Sequence, residues 1–288
     1  MEAQELFQKI RRLELKAKGL TKHIFSGEYH SAFKGRGMAF SEVRNYQVGD
    51  EIRTIDWNVT ARFNDPFVKV FEEERELTVM LVVDVSNSAD FGSTATSKKE
   101  MLLETMAILA FSALSNNDKV GVIFVSDTVE RYLPPKKGRQ HILYLLREFI
   151  AFKAKNKGTN LNNGLKFLKN TQKKRTICFV ISDFIDESNY MEGLKIALKN
   201  HDVIALMLED PSEYELPKMG FLQLYNAETN ATTWVDSNNP QVRATYKANF
   251  EANKQKITKE FTANGIDFAV LNTGSDYFLE LIKLFKNR

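Results

Sequence analysis

Five residues in three separate segments carry side-chain oxygens of the kind that bind a hard metal ion. They are Asp84, Ser86 and Ser88 in the first segment, Thr159 in the second and Asp183 in the third. Mg²⁺ binds hard oxygen ligands in near-octahedral geometry and usually keeps some of its water. Because three of the five donors are neutral hydroxyls, a bound ion stays underneutralised and attracts another anionic oxygen. The pattern therefore predicts a Mg²⁺ or Mn²⁺ site with an open coordination position.

The elements that flank these residues predict that the three segments meet. Apolar runs typical of buried strands cover 78–83, 120–125, 176–182, 203–208 and 267–271, with a shorter strand at 129–133. Helices are predicted between them, from Leu102 to Ala113 and at 140–152, 161–171, 190–199, 240–263 and 276–286. This alternation predicts an α/β fold with a doubly wound, mostly parallel sheet that is covered on both faces. Ligands of such sheets bind beyond the carboxyl ends of the strands, where the strand order reverses, and Asp84 and Asp183 each follow a strand.

Three parts of the chain fall outside this alternation. Residues 4–18 carry apolar side chains at helical spacing and predict an amphipathic leading helix. Residues 19–76 are polar, interrupted by glycines and without periodicity, which is typical of an extended or looped segment. Residues 221–236 predict an inserted β-hairpin. We therefore divide the chain into an N-terminal region, 1–76, that packs on a main domain, 77–288.

The order Asp-x-Ser-x-Ser, then Thr, then Asp resembles the metal-ion-dependent adhesion site of von Willebrand factor A domains. The resemblance implies a von Willebrand A/Rossmann-like fold in which Asp84 and Asp183 often act through water and Thr159 binds directly in the ligand-bound form. It also implies that an acidic side chain of a partner protein fills the open position. A simpler interpretation stays open, because Asp and Ser are common helix caps and Thr159 or Asn160 would suit the helix that begins at Leu161.

A second signature precedes the main domain. It comprises Gly35-Arg36-Gly37, Phe40, Arg44, Tyr46, Gly49-Asp50, Arg53, Ile55-Asp56-Trp57 and Ala61-Arg62. The run resembles the signature of the bacterial domain-of-unknown-function family 58, whose members join such a segment directly to a von Willebrand A-like domain. The resemblance implies a binding or assembly role, with a MoxR-type AAA+ ATPase as the candidate partner in chaperone-like maturation of other proteins.

The charged residues of this second signature predict a local network. Asp50, Arg53, Asp56 and Arg62 are expected to form charge-assisted hydrogen bonds, with Trp57 as the apolar anchor. Two roles fit such a network: it pins the segment to the main domain, or it contacts a partner protein.

The overall composition argues against several other classes of protein. Lys and Arg number 40 against 37 Asp and Glu, and a net charge of +3 is small for a nucleic-acid-binding protein. The single cysteine, Cys178, lies in an apolar run, so neither a disulfide nor a zinc site is predicted. No apolar stretch is long enough to cross a bilayer, and the N-terminus has no signal-peptide core. We therefore predict a cytoplasmic protein with neither nucleic-acid binding nor membrane insertion.

The main alternative function is that of a metal-dependent hydrolase or phosphatase. Phosphatases of the haloacid-dehalogenase type place a second aspartate two residues after the nucleophile, and here that position is Ser86. The chain also has no Gly-x-Ser-x-Gly motif and no glycine-rich phosphate loop after the first strand. The sequence therefore favours a non-enzymatic, metal-dependent binding or assembly factor.

Overall fold

The computed structural model describes residues 11–12, 14–15, 39–63, 65–72, 77–86, 97–156, 158–186, 188–225 and 232–288. The chain divides into two compact units, His30–Glu76 and Leu77–Arg288, and Met1–Tyr29 groups with the second. The expectation that the region 1–76 packs on the main domain stays a prediction.

The smaller unit is built on one antiparallel strand pair. Strands β1 (Ala39–Asn45) and β2 (Phe67–Glu72) are hydrogen-bonded to each other, with a bulge in β1. Between them lie a 3₁₀ turn (Ile52–Thr54) and a short helix, α1 (Trp57–Phe63). The expectation of a purely extended or looped segment was wrong for α1. The Asp56 carboxylate caps the N-terminus of this helix, because it accepts hydrogen bonds from the amides of Asn58 at 3.0 Å and Val59 at 3.3 Å.

The larger unit contains a six-stranded sheet and a separate hairpin. Its strands are β3 (Thr78–Asp84), β4 (Lys119–Val125), β5 (Val129–Lys136), β6 (Ile177–Ser182), β7 (Asp202–Glu209), β8 (Phe221–Tyr225), β9 (Thr232–Asp236) and β10 (Asp267–Asn272). The order across the sheet is β10-β7-β6-β3-β4-β5, and only β5 runs antiparallel to its neighbour. β8 and β9 form the antiparallel hairpin that the sequence predicts. The expected doubly wound, mostly parallel α/β fold is confirmed.

Among the described residues from 77 onwards, six helices lie between or after these strands. They are α2 (Lys98–Ser115), α3 (Arg139–Ala151), α4 (Leu161–Thr171), α5 (Tyr190–Leu198), α6 (Pro240–Ala263) and α7 (Tyr277–Lys286). The central strands are buried along almost their whole length, as β3 and β6 illustrate. A strand covered on both faces needs apolar residues at successive positions, which is why these runs were recognisable in the sequence.

The strand order reverses beside β3, which is the first strand of the sheet along the chain. The chain continues to β4 on one side of β3 and later returns to β6 on the other side. Both neighbours are parallel to β3, so the carboxyl ends of β3 and β6 lie side by side, with Val83 paired to Ile181. This arrangement makes the end of β3 and β6 the expected ligand-binding edge.

The leading helix is described at four positions only. Arg11, Arg12, Glu14 and Leu15 are helical, and the apolar residues that predicted the helix lie outside the described residues. Glu14 is buried and accepts two hydrogen bonds from Arg139, at 2.9 and 2.7 Å, at the start of α3. No helix in the described part of the chain is both long and apolar enough to span a membrane.

A glycine sets how closely α4 approaches the central strands. A Cβ added to Gly164 would lie 2.5 Å from Cγ2 of Val125 in β4 and 3.3 Å from Cγ1 of Val82 in β3. The helix therefore packs directly on the sheet next to the ligand-binding edge.

We predict that Gly164→Ala lowers the free energy of unfolding by about 1–3 kcal/mol, because the methyl group overpacks the core. In an exposed helix the same change would stabilise by about 1 kcal/mol. Lys166→Ala, at an exposed position of the same helix, is the control and should change stability by less than about 0.5 kcal/mol. Chemical denaturation monitored by circular dichroism measures both; a stabilised Gly164→Ala protein would contradict the close packing.

Candidate metal site at the edge of the sheet

Asp84 joins the ends of the two central strands. It is the last residue of β3 and is 3% exposed. One carboxylate oxygen, Oδ1, accepts from the backbone amide of Ser86 at 2.9 Å, and Oδ2 accepts from the Ser182 hydroxyl at 2.7 Å. Because Ser182 ends β6, this second hydrogen bond links the two strands at the point where the strand order reverses.

The Asp84 carboxylate is held without a charged donor among the described residues. Burial raises its pKa to about 7, and the negative charge of Asp183 contributes in the same direction. The hydrogen bonds from Ser182 and Ser86 lower the pKa but do not cancel that rise. The two acidic side chains are therefore close enough to repel each other, and both are buried.

A lysine ammonium lies beside Asp183, and this lysine was not predicted from the sequence as a residue of the site. The ammonium of Lys98, 1% exposed, lies 3.2 Å from Asp183 Oδ2 and also pairs with Glu213 Oε1. Asp183 Oδ1 accepts from the amide of Ile185 at 3.1 Å, and Glu213 Oε2 accepts from the amide of Asp210 at 2.9 Å. Lys98 therefore bridges the start of α2, the end of β6 and the 3₁₀ turn (Pro211–Glu213) that follows β7.

The ammonium of Lys98 pairs with two carboxylates, of which Asp183 is buried and Glu213 is partly buried. Burial alone would lower the Lys98 pKa, but the charges of Asp183 and Glu213 outweigh that effect and raise it. Burial raises the pKa of Glu213, and Lys98 offsets this only in part. Asp84, Asp183, Glu213 and Lys98 together carry two negative charges in excess when ionised. A divalent cation would neutralise that excess, and carboxylate and hydroxyl oxygens are the donors that Mg²⁺ accepts, so the donor set fits the predicted ion.

The backbone turns sharply directly after Asp183. Phe184 has φ of 57°, which is uncommon for a bulky residue and costs on the order of 1–3 kcal/mol. Its amide donates to the Ser182 hydroxyl at 3.0 Å, and its buried ring packs edge-on against Phe261 with the centroids 5.1 Å apart. The turn directs Asp183 toward Lys98 while the aromatic ring anchors the loop in the core.

The segment that contains Thr159 is hydrogen-bonded to the loop after β4 and to the loop after β6. The amide of Asn160 donates to the Ser126 carbonyl at 2.8 Å, and the amide of Leu161 donates to Asp186 Oδ2 at 2.8 Å. The Asn160 side chain caps α4 by accepting from the amide of Asn163 at 3.2 Å. Thr159 is half-buried, and the cap of α4 is supplied by its neighbour.

The structure thus places four of the five predicted metal ligands at strand ends or in loops at this edge: Asp84, Ser86, Thr159 and Asp183. Ser86 is buried, and its hydroxyl also hydrogen-bonds to Asp84. Ser88 lies outside the described residues. No group of three or more His, Cys, Asp or Glu suited to a metal occurs among the described residues. The predicted site is of a different kind, because it relies on two carboxylates and on hydroxyls.

The network expected in the smaller unit has other partners than predicted. Asp50 forms a bidentate pair with Arg44, at 2.7 and 2.8 Å, and not with Arg53 or Arg62, which are exposed. The hydrogen bond from Arg44 lowers the pKa of Asp50. Arg44 lies near the end of β1, just before the turn in which Asp50 also accepts a hydrogen bond from the amide of Gln47. The turn therefore brings the Asp50 carboxylate to Arg44.

Asp56 and Trp57 also differ from the prediction. Asp56 caps α1 and pairs with Lys69 of β2 at 3.5 Å. Trp57 is the first residue of that seven-residue helix and is 65% exposed, so it is not the apolar anchor that the sequence suggested. The role of these residues toward a partner stays a prediction.

The comparison with known sequences identifies one family. A sequence model described as "Protein of unknown function DUF58" matches residues 42–256. An uncharacterized protein of Mycobacterium bovis is 28% identical over 281 residues, which is 97% of this chain and 88% of that protein. The uncharacterized protein YeaD of Bacillus subtilis is 29% identical over 107 residues, which is 37% of this chain and 25% of that protein.

One solved structure supports the same α/β fold. An aerotolerance-related membrane protein of Bacteroides fragilis, crystallised with multiple mutations to serine, is 17% identical, with a TM-score of 0.50. The match covers 74% of this chain and 100% of that one. The match to the VWA domain of SpRpn10 is 12% identical, covers 46% of this chain and 76% of that chain, and has a TM-score of 0.34.

We predict that Lys98→Met lowers the free energy of unfolding by about 3–5 kcal/mol in metal-free buffer, because it leaves the buried carboxylate of Asp183 and the partly buried carboxylate of Glu213 without their cation. Lys259→Met, at an exposed position, should change stability by less than about 0.5 kcal/mol. Denaturant unfolding of both variants beside the wild type measures the difference. Equal stability of the two variants would contradict the compensating role of Lys98.

Proposed function

The chain belongs to the family described as DUF58, and we propose that its larger unit is a metal-dependent protein-interaction module. In this proposal Asp84, Ser86, Ser88, Thr159 and Asp183 hold a Mg²⁺ or Mn²⁺ ion at the edge of the sheet. The observation that carries it is the burial of Asp84 and Asp183 at adjacent strand ends, joined through Ser182 and with negative charge in excess.

Each residue of the site has a role that follows from its chemistry. The two carboxylates supply charge, and both are already oriented by hydrogen bonds to their own loops. The hydroxyls of Ser86, Ser88 and Thr159 are neutral donors that do not cancel the charge of an ion. The metal, when bound, supplies an open coordination position for an acidic oxygen of a partner protein. Oriented ligands of this kind reduce the cost of organising the site when the ion binds.

A binding role fits the groups at this edge better than catalysis does. Ser86 stands where phosphatases with a similar first strand place a second aspartate, and it is buried and hydrogen-bonded to Asp84. A buried serine in that position cannot act as the general acid of such a reaction. We therefore propose a non-enzymatic assembly factor, with a MoxR-type AAA+ ATPase as the partner that presents the acidic side chain. This choice of partner rests on the family resemblance.

The first experiment is a calorimetric titration of Mg²⁺ and of Mn²⁺ into metal-stripped protein. The wild type should bind one ion, and Asp84→Asn should bind about 10–100-fold more weakly. Asn is nearly isosteric with Asp and can still accept from Ser182 or from the Ser86 amide, so the variant is expected to fold. It removes one negative charge and one ligand oxygen.

Glu251→Gln is the matched control, because it removes one exposed carboxylate from α6 by an equally conservative change. It should bind as the wild type does. Absence of binding to the wild type with both ions would refute the metal site. Equal binding by Asp84→Asn and the wild type would place the ion elsewhere.

A second experiment tests the partner. The MoxR-type ATPase of the same genome, immobilised with nucleotide, should retain the wild type and Glu251→Gln but not Asp84→Asn. All three are compared at constant Mg²⁺, because P-loop ATPases need this ion for their own nucleotide. Equal retention of all three proteins would show that the ATPase binds another surface. Retention of none of the three proteins would exclude the ATPase as the partner. The metal site would then still be tested by the titration.

A further inference from the structure

Lys98 occupies a position that is unfavourable for a cation in two ways. It is the first residue of α2, where the helix dipole and the unpaired amides favour negative charge. Its side chain is 1% exposed, so the ammonium has lost its water. A lysine in such a place depends on its partners, which are Asp183 and Glu213.

The two predicted carboxylate ligands differ because of this residue. Asp84 accepts from the hydroxyls of Ser182 and Ser86 and from the Ser86 amide, none of which carries charge. Asp183 accepts from an amide on Oδ1 and from an ammonium on Oδ2. A metal ion at the edge would therefore share Asp183 with a positive charge that already lies within contact distance of it.

Glu213 gives the ammonium a second acceptor. Its carboxylate is held in place by the amide of Asp210 in a capping box, so it does not depend on Lys98 for its position. If Asp183 turns to another cation, Lys98 keeps one charged partner. The cluster can then accept a metal without leaving the ammonium buried and unpaired.

We propose that Lys98 is an internal cation that competes with the divalent ion for Asp183 and thereby sets the metal affinity of the edge. The inference rests on the proposed function and deepens it, because it names a residue outside the ligand set that controls the same site. Metal binding moves the pairing of Lys98 from Asp183 toward Glu213. The loop after β6 and the turn after β7 are then coupled through one side chain.

The test uses a variant that removes the ammonium at constant net charge. Lys98→Met/Glu213→Gln takes away one positive and one negative charge and leaves Asp84 and Asp183 unaltered. This variant leaves only the Asp183 carboxylate without its cation, whereas Lys98→Met alone leaves both Asp183 and Glu213 uncompensated, so the double variant is expected to be the less destabilised of the two. Calorimetric titration of Mg²⁺ and Mn²⁺ should show binding on the order of tenfold tighter than in the wild type.

Two further variants separate competition from structural damage. Glu213→Gln alone leaves the ammonium to Asp183, so it should bind the ions more weakly than the wild type. Adding Lys98→Met to it must then reverse the sign of the change, which damage to the fold would not do. Lys283→Met/Glu280→Gln removes an exposed ion pair of α7, 2.7 Å in length, and should bind as the wild type does.

The outcomes distinguish this inference from the proposed function. Tighter binding by the double variant supports competition by Lys98. Equal or weaker binding by the double variant, with a wild type that binds, overturns the inference and leaves the metal module intact. Binding by the double variant alone supports the inference in its strongest form and refutes a metal-dependent role of the wild type. Binding by neither protein overturns both.

Discussion

The structure of the sheet edge depends on one constraint: two acidic side chains are buried next to each other at the ends of neighbouring strands. Burial of a carboxylate away from water is costly, and a second one nearby adds repulsion. The surrounding groups compensate for this cost. The amides of Ser86 and Ile185 and the hydroxyl of Ser182 donate to the two carboxylates, and Lys98 supplies a positive charge on one side only. Because Lys98 pairs with Asp183, Asp84 is the one of the two carboxylates that has no charged donor among the described residues.

The fold creates this constraint through its strand order. Reversal of the order beside β3 places the ends of β3 and β6 in contact, and their parallel direction brings both loops to the same edge. Close packing then fixes the loops. Gly164 lets α4 lie directly on the central strands, and Phe184 accepts an unfavourable φ because its ring packs in the core against Phe261. Local strain is thus offset by burial a few ångströms away.

The sequence was sufficient for the features that depend on local pattern. The buried strands were predictable because a strand covered on both faces is apolar at successive positions. The places of Asp84 and Asp183 followed from the ends of two such strands, and that of Thr159 from the start of α4. Helix α1 was missed because seven residues with a capping aspartate show too little periodicity. Lys98 was missed because its partners lie 85 and 115 residues further along the chain. A basic residue at the start of a helix was nevertheless a signal, since that position favours acidic side chains.

The simpler interpretation, that residues of these loops are helix caps, holds for Asn160, the neighbour of Thr159, and fails for Asp84 and Asp183. Asn160 does cap α4. Asp84 and Asp183 instead divide their oxygens, one to the amide two residues further along the loop and the other to a side chain from another element. Each carboxylate therefore holds its own loop and a distant part of the fold at once. A cation or partner that binds these oxygens must also change the hydrogen bonds that hold the loops. Binding at this edge therefore depends on the conformation of the loops.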